Sequence, residues 1–354
     1  MSSSSSDLSS VAAALRAACA ALPMVDAHPQ RIIITHGNCC DGQGASWLWS
    51  EVSSDDSLYF PVSPSERRTW PDPAKLPNWE IVFVDVCFPR LEMEAYAAVA
   101  AKGGKSLKIF DHHPQAALIG VGEALWDPCS VISQDRCATY HVWAHLHPGQ
   151  TPPLWVQFLD DIDNWRNITP EHKALREVMH PIAKLAVDCN PQVAHAEWSS
   201  LVVELETDEG WAANFADGLE IHRAKMEELH RLIDICPRLE VVSTASPWAL
   251  PPEWLGTVFV INTGREHIGP IQFDTTAAAE LIFESCPLAN VFVNYHEVKW
   301  LYRGKQHRKL VYHARARDGS GVNLTLCPAL KGHASAAGGQ LEDTGKPLPF
   351  ELPR

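Results

Sequence analysis

Three short apolar runs rich in β-branched residues, Arg31–His36, Ile81–Val86 and Leu107–Phe110, each end on or beside an acid or an imidazole: His36, Asp85 and Asp111. Runs this short and this apolar read as strands buried on both faces. Helix-compatible stretches separate them. Gly42, Gly44, Ala45 and Ser46 lead into Trp47-Leu48-Trp49, and Glu92–Ala101 is rich in alanine. Strands alternating with helices predict an α/β fold, with a parallel sheet covered by helices on both faces. At the carboxyl edge of such a sheet, residues that end different strands gather, and ligands bind there.

Further along, Cys137–Leu146 and Leu154–Ile162 read as helices, with Trp155, Phe158, Leu159 and Ile162 at core spacing. The stretch from Pro170 to Ile235 reads as helical, its last part (Trp211–Ile235) suited to a long connecting helix. A second α/β pattern follows, with strands at Val241–Val242, Val258–Asn262, Val291–Asn294 and Leu310–Ala314, a helix at Thr276–Phe283, and coil after Gly339. The 354 residues suit two domains. The expected division is a tail at 1–24, disordered or a short helix, a first α/β domain at 25–170, a helical connector at 171–236 and a smaller α/β domain at 237–354.

Composition narrows the function. A net charge of −14 disfavours long duplex nucleic acid, whose binding rests on many Lys and Arg contacts to phosphate. A small nucleotide or a short oligonucleotide fits better. No apolar run is long enough to span a bilayer. The serine- and alanine-rich start lacks a basic lead-in and is interrupted by Arg16, unlike a secretory signal. None of the ten cysteines forms a C-x-x-C pair, and Cys87, Cys137 and Cys286 lie in apolar stretches, which suits a reducing, cytoplasmic setting.

Four segments carry chemistry: Thr35-His36-Gly37-Asn38-Cys39-Cys40-Asp41-Gly42, Phe83-Val84-Asp85, Phe110-Asp111-His112-His113-Pro114 and Leu159-Asp160-Asp161-Ile162-Asp163-Asn164-Trp165. Carboxylates crowded at one sheet edge cannot all stay ionised without cations. Carboxylates with a few imidazoles suit Mn²⁺ or Mg²⁺. Two such ions about 3.5–4 Å apart can clamp both the attacking and the leaving oxygen of a phosphate ester. Alone, an Asp after a strand is more often a turn or cap residue; the weight lies in the ordered set.

That set resembles the DHH phosphoesterases. Asp111-His112-His113 after a strand is similar to the motif that names them. The opening THGNCCDGQGASW resembles H-x-N-C-x-D-G-x-x-A-A of one bacterial-type branch, VFVDVCF its second motif, and DDIDNWR its D-R-D-L-W motif. Gly332-His333-Ala334-Ser335-Ala336-Ala337-Gly338-Gly339 is similar to the G-G-H-x-x-A-A-G signature of the DHHA1 substrate-binding domain. The resemblance covers Ile32 to Gly339. It implies a parallel-sheet DHH domain joined by helices to a smaller α/β DHHA1 domain, and hydrolysis of phosphodiester or phosphomonoester bonds with Mn²⁺ (or Mg²⁺), two ions being expected.

Carried over by residue, it implies that His36, Asp41, Asp85, Asp111 and His112 bind metal, with Asp85 as the bridge. Asp161 would close the site, with Asp163 the competing choice. Asp85, His112 and His113 would be catalytic, His113 polarising the scissile phosphate or supporting a ligand. Gly332, His333, Gly338, Gly339 and Arg317, with Arg315 as its rival, would bind substrate. Two positions depart from the wider pattern: Cys39 stands where many relatives carry a second aspartate, and Lys331 where a glycine is usual. A thiolate there would alter metal preference. The rival readings are a pyrophosphatase or exopolyphosphatase, against which the glycine-rich loop speaks, and a non-catalytic nucleotide-binding module. Homodimer formation is left open.

Overall fold

In the computed structural model the described residues are 29–64, 67–114, 116, 126–164, 166, 168–235, 238–240, 254, 257–262, 275–302, 305–327, 331–332 and 336–342. The chain divides into two compact units, Met1–Phe215 and Ala216–Arg354. The tail at 1–24, Val241–Val242 and His333 lie outside the described residues. No described helix is long and apolar enough to cross a membrane.

The first unit is α/β, built on five parallel strands: β1 (Arg31–His36), β2 (Leu58–Val62), β3 (Glu80–Val84), β4 (Leu107–Asp111) and β5 (Val131–Ile132). Their order is β2-β1-β3-β4-β5, so the winding reverses between β1 and β3. Around the sheet lie α1 (Cys40–Ser50), α2 (Arg90–Lys102), α3 (Ala138–Leu146), α4 (Leu154–Asp163), α5 (Pro170–Asp188) and α6 (Pro191–Leu205).

Because side chains alternate along a strand, the sheet feeds two cores. Ile33, Val82, Val84 and Phe110 pack with Trp49, Val142, Trp155, Met179 and Trp198 from α1, α3, α4, α5 and α6. Ile32, Ile34, Ile81, Phe83, Leu107 and Ile109 pack with Met93, Tyr96 and Ala100 of α2. The expected connector thus begins by completing a core: α5 and α6 belong to the first unit. A long helix, α7 (Asp208–Ile235), carries the chain across the division.

Two strands of this sheet were not foreseen. β2 carries Pro61, which lacks an N–H and is tolerated because β2 is an edge strand. β5, at the other edge, has only two residues.

The second unit is a mixed sheet ordered β10-β11-β9-β8-β7-β6, from β6 (Arg238–Glu240), β7 (Val258–Asn262), β8 (Val291–Tyr302), β9 (Lys305–Ala316), β10 (Lys331–Gly332) and β11 (Ala336–Glu342). Among the described residues only β7 and β8 pair in parallel, and α8 (Thr275–Ser285) lies between them in the chain. β8 and β9 run far beyond the expected Val291–Asn294 and Leu310–Ala314, forming a long hairpin. β11 continues past Gly339 to Glu342, where coil was expected.

Candidate metal centre

The winding reversal between β1 and β3 opens the carboxyl edge of the first sheet, and the chemistry-bearing segments meet there. β1 ends on His36, and a tight turn through Asn38 leads into α1. β3 ends one residue before Asp85, whose backbone N–H still bonds to Phe110 O on β4 at 2.8 Å. β4 ends on Asp111, and His112 and His113 follow. Among the described residues, Asn38 (φ 60°) and Asp85 (φ 56°) are the only non-glycine residues in the left-handed region. Such strain costs of order 1–3 kcal/mol and clusters at functional sites; here both instances flank one site.

Small residues bring α1 close. The Thr35 hydroxyl donates to Gly42 O at 2.8 Å, and a Cβ on Gly42 would lie 2.4 Å from His36 O. Asp41, in the first turn of α1, is buried. Its carboxylate accepts the backbone N–H of Ala138 (2.8 Å) and of Thr139 (2.7 Å), so it satisfies the exposed donors at the N-terminus of α3. Asp160 takes the neighbouring Cys137 N–H at 2.7 Å and pairs with Arg136, a structural role.

At the centre is His112. Its Nε2 faces Asp163 Oδ2 at 2.8 Å, Asp85 Oδ1 at 3.3 Å and Asp41 Oδ2 at 3.8 Å. Asp85 also meets His36 Nδ1 at 3.2 Å through its other oxygen, and His113 Nδ1 at 3.6 Å. The potential ligand atoms fall into overlapping groups, each within 4.8 Å: His36–Cys39–Asp85, Asp41–His112–Asp163 and Asp85–His112–His113. Two ligands about 2.1 Å from a common ion stand roughly 3.0–3.4 Å apart. The spacings of His112 from Asp163 and Asp85 and of His36 from Asp85, 2.8–3.3 Å, are near that size, and Asp85 belongs to two groups.

The charges of the site are closely interdependent. Four aspartates surround the site, and every ion pair they make among the described residues is with a histidine. Burial, with Asp85 and Asp163 nearby, pushes the Asp41 carboxyl up to about 7. Burial also opposes charge on Asp85, but hydrogen bonds from His112 and His36 outweigh it and hold its carboxyl well below the usual range. His112 is lifted to about 12 and His113 to about 9, since their aspartate partners overcome burial. Imidazolium protons thus supply positive charge where carboxylates crowd. Asp111 Oδ2 is buried with no hydrogen-bond partner among the described residues. The donor set fits hard or borderline divalent ions.

The structure redistributes the expected roles. Asp163, rather than Asp161, closes the cluster; Asp161 turns to His172 Nε2 at 3.5 Å. Asp111 sits behind His113 rather than in a ligand group, accepting from its backbone N–H (3.0 Å) and pairing with Nδ1 (2.8 Å), which fixes that ring. Cys39, which the sequence marked as a departure, joins a ligand group.

In the second unit, Arg317 is fully engaged by the fold. It donates to the carbonyls of Phe283, Cys286 and Ala289 at 2.6–2.7 Å and so caps the C-terminus of α8. Arg315, its rival, lies on the sheet face beneath α8, with Nε bonded to Thr276 Oγ1 at 3.0 Å. The register sets His313 between Asn294 and Gly338, and Arg315 between Phe292 and Ala336. Gly332 pairs with Ala337, and Gly339 with Tyr312. Compared with family models and with curated proteins, the chain matches none.

Proposed function

We propose that the first unit is a divalent-metal-dependent phosphoesterase of the DHH kind, acting on small nucleotides or short oligonucleotides. The observation that carries this reading is the setting of His112, one imidazole nitrogen ringed by three carboxylates, with Asp85 shared toward His36. His36 and Asp85 would hold one cation, and Asp41, Asp85, His112 and Asp163 the other. Cations held there supply Lewis acidity to a phosphate ester and activate water.

The chain's own groups do the rest. Asp85 links the two positions and, held in left-handed backbone by its bond to Phe110, keeps its spacing to both. Asp111 orients His113, which is partly open to solvent. It can donate a hydrogen bond to a phosphate oxygen as negative charge builds. The Asp41 carboxylate is pinned by the backbone N–H groups at the start of α3 and so keeps its place. In the second unit, the glycine-rich strand β11 resembles part of the DHHA1 motif, and Arg315 on the neighbouring strand is the arginine left to bind an anion. The acidic whole favours a small anion over a long polyanion.

The test is hydrolysis by the full chain with Mn²⁺ or Mg²⁺ of a generic phosphodiester, 3′,5′-bisphosphorylated adenosine, di- to pentanucleotides, pyrophosphate and polyphosphate. Turnover of the nucleotide substrates, absent with chelator and in Asp111→Ala, is the expected result. Turnover of pyrophosphate or polyphosphate alone would overturn the substrate assignment, and no turnover of any would overturn the activity.

A further inference from the structure

One of the ligand groups in the metal centre contains a thiol. Cys39 Sγ, a ring nitrogen of His36 and a carboxylate oxygen of Asp85 lie within 4.8 Å of one another. Cys39 is the N-cap of α1, in extended backbone (φ −128°, ψ 133°), and its side chain makes no capping hydrogen bond. Helices are usually capped there by Ser, Thr, Asp or Asn, whose oxygen takes an exposed N–H. Cysteine is a poor choice for that purpose. The residue just before it, Asn38, is left-handed, as is Asp85 within the group. Both backbone strains found among the described residues therefore converge on one three-atom group. Burial and the neighbouring Asp85 push the Cys39 thiol up, so it is a cation bound beside it that would hold the thiolate.

The second group differs in kind. Asp41, His112 and Asp163 offer only oxygen and nitrogen. The two positions are thus chemically unequal, one softer than the other.

We propose that Cys39 binds, as a thiolate, the cation that His36 and Asp85 share, making a mixed nitrogen, sulfur and oxygen site that favours Co²⁺, Zn²⁺ or Fe²⁺ over Mg²⁺. The inference rests on the metal-centre reading and specifies one half of it. On binding, the thiol proton passes to solvent and a sulfur–metal bond forms, with no change of oxidation state.

Cobalt(II) chloride is titrated into the full chain, following the near-ultraviolet thiolate-to-cobalt charge-transfer band, while equilibrium dialysis counts bound cobalt. The wild type should show the band. Cys39→Ser should lose it and still bind cobalt at the oxygen and nitrogen position, and Cys87→Ser should keep it. Cys39→Asp retains an anionic ligand and should fold even if the serine variant does not; it should lose the band and shift competition toward Mg²⁺. Cobalt bound without a band, or a band that survives in Cys39→Ser or Cys39→Asp, would overturn the thiolate assignment and leave the metal centre standing. A wild-type chain that binds no cobalt would overturn the centre and this inference together.

Discussion

Gly42→Ala tests how the metal centre is assembled. The added Cβ would lie 2.4 Å from His36 O, 3.0 Å from Thr35 Oγ1 and 3.2 Å from His36 C. The closest atom is backbone and cannot rotate away, so α1 and the end of β1 must separate by about 1 Å to restore a normal contact. Alanine in a helix gains up to about 1 kcal/mol over glycine. Overpacking of this kind costs about 1–3 kcal/mol, and losing the bond from Thr35 to Gly42 O costs about 1 more. The clash therefore wins, for a net loss of about 1–3 kcal/mol, or roughly 2–12 °C in the melting temperature of a unit this size. The same movement carries Asp41 and Cys39 away from His36, and a 1 Å misplacement can cost about 100-fold in activity. Thermal melting and Mn²⁺ titration of the variant are the assays. A melting temperature and Mn²⁺ affinity equal to wild type would refute the argument that close approach of α1 builds the site.

The remaining predictions follow from individual contacts. Asp163→Asn should weaken Mn²⁺ binding at least ~10-fold while Asp161→Asn leaves it unchanged; the reverse order, by calorimetric titration, would restore the sequence expectation. Arg317→Ala should lose roughly 2–3 kcal/mol of stability through the uncapped α8, with Mn²⁺ binding intact, whereas Arg315→Ala should raise KM for a dinucleotide; a KM effect confined to Arg317→Ala would contradict this assignment. His195, buried beside Tyr59 and bonded to Ser46 at 3.0 Å, is depressed by burial to about 4. Between its unfolded pKa of about 6.5 and 4 the unfolded chain binds the extra proton, so this stability is present above pH 6.5 and lost as pH falls, about 3 kcal/mol by pH 4. Acid melting of wild type against His195→Gln measures it, and identical slopes would sink it.

What could be read in the sequence was what burial forces on residue choice. β1, β3 and β4 lie in the sheet interior, covered on both faces, and only β-branched and aromatic runs suit such places. The edges carry weaker signals: β2 tolerates Pro61, and β5 is too short to show a period. The ambiguity between Asp161 and Asp163 was one of helical phase. Trp155, Val156, Leu159 and Asp160 form the buried stripe of α4, and Asp163 continues it four residues after Leu159, whereas Asp161 falls beside it. Of the expected core positions Trp155, Phe158, Leu159 and Ile162, Trp155 and Leu159 are buried, and Phe158 and Ile162 only partly so. The roles of Asp111 and Arg317 depend on contacts two residues away and about thirty residues away, respectively. Sequence adjacency to a motif cannot separate a ligand from the group that orients one.

The central claim is that one cluster at the carboxyl edge of the first sheet holds divalent cations through Asp85. Equilibrium dialysis of Mn²⁺ against wild type and Asp85→Asn, with circular dichroism to verify folding, tests it most directly. The account predicts two ions bound per wild-type chain and at most one, weakly, in the variant, because Asp85 would serve both positions. No Mn²⁺ bound to wild type, or two ions bound with unchanged affinity in a folded Asp85→Asn chain, would contradict it.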